Sequence, residues 1–284
     1  MSYVARSQAI ASSSTWEASL ALAYECRGER TVLARQAHRG PLTVQKPLYP
    51  EGNAVCQSIV VHPPAGVAAG DRLTLDVAVS EHAHAQLTTP GAAKWYRSSG
   101  APATQCLHFS VAEHGRLEWL PQETIVFDGA IAGFEVRIDL ADSAIFLGWD
   151  IVCLGRRLSG ERFATGSLRH DLLLSRGGAR QWAERASISG GSTLLAKPVG
   201  LAGQNVFGTF LAAAQRVDDS LISACRDVSC EDGEIAVTRL PGVLVGRYRG
   251  GSAEAARGCF AALWARVRPE LIGRAAVSPR IWNT

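Results

Sequence analysis

Along most of the chain, apolar residues recur at every second position rather than at every third or fourth. The cleanest instance is LTLDVAVS, in which Leu73, Leu75, Val77 and Val79 fall on one face and Thr74, Asp76, Ala78 and Ser80 on the other. This is the alternation of a half-buried strand, and it predicts an antiparallel partner and one solvated face. Val55 to Val61 reads as a further strand, and Trp16 to Arg35 as a hairpin turning at Arg27-Gly28. QCLHFSVAEHG, LEWLPQETIVFDGA, FEVRIDL and SAIFLGWDIVCLG then follow as short β segments separated by turn residues, and RRLSGERFATGSLRHDLLLS continues the series. Regular turn signals over such a length favour a sandwich, barrel or stacked β body over a doubly wound α/β fold. VFGTFLAAAQ adds a late apolar strand.

A helical period appears only near the end. Asp218 or Asp219 can cap a short helix through Leu221, Ile222 and Cys225. Ser252 can cap a longer one, in which Ala256, Cys259, Phe260, Leu263, Trp264 and Val267 form one apolar stripe before Pro269 stops the helix. Between them, GEIAVTRLPGVLVGRYRG reads as a hairpin turning at Pro241-Gly242. The prediction is a mainly β protein, a large antiparallel or stacked β architecture with a small C-terminal α+β element. A single domain covers residues 1–284, with a β-rich body over about 16–215 and a helix-hairpin-helix part over about 216–284. Residues 1–15, small and polar, read as a frayed arm.

Composition narrows the function classes. With 47% hydrophobic residues the chain can bury a sizeable core. The net charge is only +3 and the 29 basic residues are scattered, so the electrostatic footprint of a nucleic-acid binder is missing. No window is apolar enough for a membrane helix, and the start lacks the features of a signal peptide; a cytoplasmic protein is expected. Seven cysteines without any CxxC argue against a disulfide framework and a zinc site, and predict free, mostly buried thiols.

The chemistry concentrates in Leu117 to Gly129. Pro121 divides it into two short strands, Leu117 to Leu120 and Gln122 to Asp128. In the second, Glu123 shares parity with Ile125 and Phe127, which predicts a carboxylate carried inward, where it needs a partner, a cation or water. Glu118, Glu123 and Asp128 could pair for acid–base work, so a carboxylate- or metal-dependent enzyme on a β scaffold is the alternative reading. Against it, the chain has no GxSxG, HExxH or GxGxxG, and HPPAGVAAGD lacks a Walker A ending; the reading is therefore not an enzyme. Asp71 closes that loop as a turn residue or as a carboxylate presented at a strand end. His82 and His84 would share a strand face, a spacing open to two metal ligands but with no third nearby. Lys94, Trp95, Tyr96 and Arg97 place an aromatic pair between cations, a composition suited to partner binding.

GPLTVQKPLYPEG, HPPAGVAAGD, AQLTTPGAAKWYRS, LEWLPQETIVFDGA, LGRRLSGERF and the closing PRIWNT together resemble the urease accessory protein family UreD, called UreH in some bacteria. The motifs span nearly the whole chain in the family's order. In the loop, Ala65 and Ala69 stand where the resemblance leads one to expect glycine, which bears on backbone freedom there. The resemblance implies a β-rich scaffold without turnover of its own, which binds apo-urease and recruits UreF, and through it the GTPase UreG, for nickel insertion. It implies no tightly bound cofactor, only Ni2+ in transit, and an interior passage. Asp71, Glu123 and Asp128 are the candidate oxygen ligands of that path, since a relayed cation must be held weakly enough to leave.

Overall fold

A computed structural model describes residues 16–64 and 66–283, so the frayed arm expected over residues 1–15 lies outside the described residues. Two β-sheets face each other. The first is built from β1 (Glu17–Arg27), β2 (Arg30–Arg39), β6 (Arg72–Val79), β9 (Ala103–Val111), β12 (Ile131–Leu140), β14 (Ser167–Arg176) and β15 (Ala179–Ser189), in the order β15-β14-β12-β9-β6-β1-β2. The second contains β3 (Thr43–Val44), β4 (Cys56–Val61), β7 (His84–Thr88), β10 (Arg116–Leu120), β13 (Ile145–Leu154), β16 (Val206–Ala213), β17 (Glu234–Leu240) and β18 (Val243–Gly250). Its order is β17-β18-β16-β13-β10-β7-β4-β3. A short flank of β5 (Gly66–Val67), β8 (Ala93–Trp95) and β11 (Thr124–Val126) closes one side by pairing β11 to β13 and β8.

The fold is mainly β, and of the two architectures the pattern allowed it takes the stacked one. The chain passes repeatedly from the first sheet to the second, so that β6, β9, β12 and β14 stack in parallel, as do β4, β7, β10 and β13. Antiparallel pairing occurs at the ends of the first sheet, β1–β2 and β14–β15, and in the second sheet at β3–β4 and through the run β13–β16–β18–β17. LTLDVAVS is therefore flanked by parallel neighbours on both sides, a correction to the antiparallel partner expected from its alternation. Parallel sheets usually read as unbroken apolar runs because helices cover them, whereas the outer face of this coil is solvated, so alternation persists.

The coil brings like residues into register. Leu20, Leu75, Leu107, Val136 and Leu172 line up across β1, β6, β9, β12 and β14, and beside them Leu22, Val77, Phe109, Ile138 and Leu174. These inward ladders form the core between the sheets. The second sheet is covered on its other face by α2 (Asp219–Arg226) and α3 (Ala253–Ile272), which is why β13, IFLGWDIVCL, is apolar on both faces. There Trp149 and Phe210 meet Phe260, Leu263 and Trp264 in a second core. A short α1 (Thr193–Ala196) lies between β15 and β16.

Ser252 caps α3 as expected, its hydroxyl accepting from the Ala255 N–H. The helix runs past Pro269 to Ile272 and ends at Gly273, φ +77°, so Pro269 does not stop it. In the last turn a missing N–H costs one hydrogen bond only. The hairpins at Arg27-Gly28 and Pro241-Gly242 are both present. Cys230 and Cys259 are joined as a disulfide with Cα atoms 5.7 Å apart, which corrects the free-thiol reading for that pair; Cys26, Cys56, Cys106, Cys153 and Cys225 are free.

Candidate functional site

Pro121 bends the chain where expected, ending β10 at Leu120 and leaving only Thr124–Val126 as strand beyond it. Gln122 and Glu123 therefore lie in the bend and not in the strand, and parity does not carry across it. Gln122 and Val126 are buried, while Glu123, Ile125 and Phe127 are half-buried, the reverse of the expected faces. The Glu123 side chain is 21% exposed and faces Arg257 of α3 at 3.7 Å. Arg257 also donates to Gln122 Oε1.

The carboxylate carried fully inward is Glu118, on the preceding strand. Leu117 and Trp119 face the inter-sheet core, so Glu118 faces α3, as does Leu120. Its oxygens accept from Trp264 Nε1 at 2.6 Å, from Arg268 Nε at 3.0 Å and Nη2 at 3.0 Å, and meet His84 Nε2 at 2.7 Å. Arg268, also wholly buried, makes a second, two-pronged contact with Glu51 at 2.7 and 2.8 Å. Gln57 and Gln86 continue the polar ladder across β4 and β7, with Gln57 Nε2 donating to Gln86 Oε1 at 2.6 Å. Burial alone would raise the Glu118 carboxyl, but the contact with His84 and the charge of Arg268 outweigh it and hold it below the ordinary carboxylate value. A carboxylate saturated in this way is a structural tie between sheet and helix, not an acid or base in reach of a substrate.

Between the sheets lies a cavity of about 210 Å³. His62, Lys94, Gln105, Gln122, Asp150 and His170 supply its polar lining, among apolar side chains that include Trp95 and Phe134. It is smaller than the roughly 300–1,000 Å³ of a site for an organic ligand, yet at roughly 30 Å³ per water it has room for several waters. Asp150 on β13 reaches across to His170 on β14, Oδ2 to Nε2 3.4 Å, and Asp150 Oδ1 accepts from the Thr209 N–H at 3.2 Å. Burial pushes the Asp150 carboxyl up despite His170 beside it. Burial likewise lowers His62, which Asp71 opposes electrostatically. Cys153 is pushed up to about 12, by burial first and by the charge of Glu123 second. A thiol so placed is not a thiolate at neutral pH.

The remaining sequence-selected residues lie apart. Asp71 accepts from the N–H of Trp16 and Ala68 at 3.2 and 2.8 Å, the local turn role. Gly70, φ +86°, and not Ala69 takes the left-handed position of that loop. Asp128 binds Arg97 at 2.8 Å and accepts from the N–H of Ala164 and Thr165. Asp71, Glu123 and Asp128 do not form one cluster, and among the described residues no group of three or more His, Cys, Asp or Glu is placed to hold a metal ion. Trp95 is 1% exposed and packs edge-on against Phe134, so Lys94, Trp95, Tyr96 and Arg97 do not make one surface patch. His82 sits at a turn with φ +59°, stacked on His114, while His84 is buried; the two do not share a face. Among the described residues no helix is long and apolar enough to cross a membrane. Asp150, His170 and Arg268 escaped the sequence reading because their partners are more than a hundred residues away or on the facing sheet. The available signal for Asp150 and Arg268 was charge inside an apolar run, one in IFLGWDIVCL and two, Arg266 and Arg268, in FAALWARVRP.

The family model of the UreD urease accessory protein matches residues 17–283. The chain belongs to the UreD family. It is 52% identical over 276 residues to the urease accessory protein UreD of Dechloromonas aromatica (strain RCB), covering 96% of each chain. To the UreD of Azoarcus sp. (strain BH72) it is 50% identical over 269 residues, 95% of this chain and 94% of the relative. To that of Pseudomonas aeruginosa PAO1 it is 48% identical over 270 residues, 95% of each. Within the matched range, LEWLP carries Glu118, and PRIWNT carries Trp282, whose Nε1 donates to Thr88 Oγ1 at 2.8 Å.

Proposed function

We propose that this chain is a non-catalytic accessory scaffold in urease maturation, which binds apo-urease and recruits UreF and, through it, the GTPase UreG for nickel insertion. The observation that carries the reading is similarity of about half of all residues, over nearly the full chain, to proteins named as urease accessory proteins. The geometry supports it in two ways. Among the described residues the one fully buried carboxylate, Glu118, is saturated by Trp264, Arg268 and His84 rather than poised for chemistry. The inter-sheet cavity offers scattered oxygen and imidazole groups in place of a complete ligand set.

Such a lining suits a cation in transit. Ni2+ accepts carboxylate, water and imidazole, and a site with few protein ligands releases it, whereas a thiolate cage would retain it. In this reading Asp150 and His170 are the way-station inside the body. Asp71 beside His62, Glu123 at the bend and Asp128 behind the Arg156–Phe163 segment belong to the approaches. The location is the cytoplasm, where the partners act.

The reading is tested by co-purification with apo-urease and UreF and by urease activation in cells. Glu123→Gln and Asp150→Asn preserve size and remove charge. Assembly retained with activation reduced supports the passage. Assembly lost with activation makes the residue structural, and normal assembly with normal activation removes it from the path.

A further inference from the structure

The LGRRLSGERF segment serves neither the cavity nor the buried ion network, and it forms one wall of a separate groove of about 660 Å³. The opposite wall is the segment from Gly191 to Asn205, which contains α1. Leu154, Phe163 and Leu195 supply apolar lining. We propose that this groove docks a segment of a partner protein that carries apolar side chains flanked by carboxylates, an inference resting on the scaffold reading above.

The walls are preformed. Gly155 and Gly191 hold φ +76° and +67°, and a Cβ on Gly190 would lie 2.4 Å from the Thr165 carbonyl carbon, so the two segments are locked together at their base. Asp128 braces the first wall by accepting from the N–H of Ala164 and Thr165 at 2.8 and 2.7 Å. Arg156 holds Glu161, which also accepts from the Asp128 N–H. On this rigid frame the apolar side chains point outward: Leu158 is fully exposed, Val199 is 90% exposed and Leu194 is 40% exposed. All three lie in the two segments that form the walls, next in sequence to lining residues or within a few positions of them, and exposed apolar side chains beside an apolar-lined groove favour an interaction surface.

Charge selects the occupant. Arg157, Arg162 and Lys197 are exposed on these walls, and among the described residues Arg162 and Lys197 have no ion pair. The one carboxylate of the lining, Glu161, is already held by Arg156. The rim is thus cationic and complementary to an acidic segment. Ser192 Oγ, buried in the same lining without a hydrogen-bond partner, is a polar atom for the occupant's backbone or side chain. A bilayer surface cannot enter a concave site whose apolar lining lies between two walls, so a protein segment fits better.

The test uses the full chain with purified apo-urease and purified UreF as separate probes, titrated at low and high salt. Leu158→Asp and the double variant Arg162→Glu/Lys197→Glu should each weaken binding of at least one probe by roughly tenfold or more. The double variant should also lose most of the salt dependence, and neither should change the melting temperature, because the altered side chains are exposed. Both probes bound by both variants within about twofold of the unaltered chain would overturn the proposal, and so would an equal loss accompanied by a lowered melting temperature in Leu158→Asp and in a milder Leu158→Ser. If the unaltered chain binds neither probe, the scaffold reading itself fails and this inference with it. If the variants keep both probes but lose self-association on gel filtration, or lose binding to phosphatidylserine vesicles, the occupant is a second copy or a lipid surface and the proposal is wrong.

Discussion

Glu118 and Arg268 lie in sequence 150 positions apart and meet with no exposure at all on either side chain. Removing one partner of such a pair leaves the other as an uncompensated buried charge, which costs about 3–5 kcal/mol. Glu118→Ala, which also strips Trp264 Nε1 of its acceptor, should lower the urea unfolding free energy by about that amount; a loss under about 1 kcal/mol would contradict the assignment. Because the folded carboxyl is held below its ordinary value of 4.5, its stabilisation is fully present above that pH and is lost as pH falls through the folded value. Asp150 behaves oppositely. Its folded value is raised above 3.8, so the folded state prefers the proton and loses stability as pH rises from there toward the folded value. Asp150→Asn should therefore raise the melting temperature at neutral pH, although the same change is expected to impair urease activation. A melting temperature lowered in Asp150→Asn would mean that the carboxylate is held for stability and not for traffic. At this scale strand parity points to Glu123, but Pro121 ends the strand before it, and the inward charge is Glu118, on the other side of that proline. Nothing local distinguishes the two, because what buries Glu118 is a helix encoded at the far end of the chain.

At the scale of elements, strand existence and hairpin positions were legible because alternation and Gly or Pro turns are local signals. Neighbour direction was not. Leu73, Leu75, Val77 and Val79 alternate identically whether the next strand runs with or against them, and only the solvated outer face of the coil lets a parallel strand keep that pattern. The C-terminal helix was legible in its stripe and its cap, less so in its end, since Pro269 falls where little hydrogen bonding remains to be broken. Ser252→Ala should cost about 1 kcal/mol by circular dichroism melting, the usual loss for an N-cap hydroxyl; no loss would remove the capping role. The fit of α3 on the sheet relies on Gly246, where an added Cβ would stand 2.7 Å from Leu263 Cδ1 and 3.3 Å from Phe210 Cβ. Gly246→Val should accordingly destabilise by about 1–3 kcal/mol through overpacking, and a neutral result would show that the helix seat is compliant.

The whole molecule is a stacked β coil whose interior holds a small polar-lined cavity and whose second sheet is sealed by helices through one buried ion network. Glu118, Arg268 and Glu51 tie the second sheet to α3, and Asp150, His170 and the groove walls lie outside that network, which leaves them open to the roles proposed for them. With only 19% charged residues and a net charge of +3, the chain has little repulsion to keep exposed docking surfaces apart. The isolated protein should self-associate or precipitate and be relieved by coexpression with UreF; a monodisperse monomer at high concentration without a partner would count against the docking surfaces. The most direct test of the account is the nickel content and specific activity of urease produced in cells with and without this chain, at equal urease protein and with the other accessory proteins present. Nickel-loaded, active urease only when the chain is present is the result predicted, and equal nickel and activity in its absence would contradict the account.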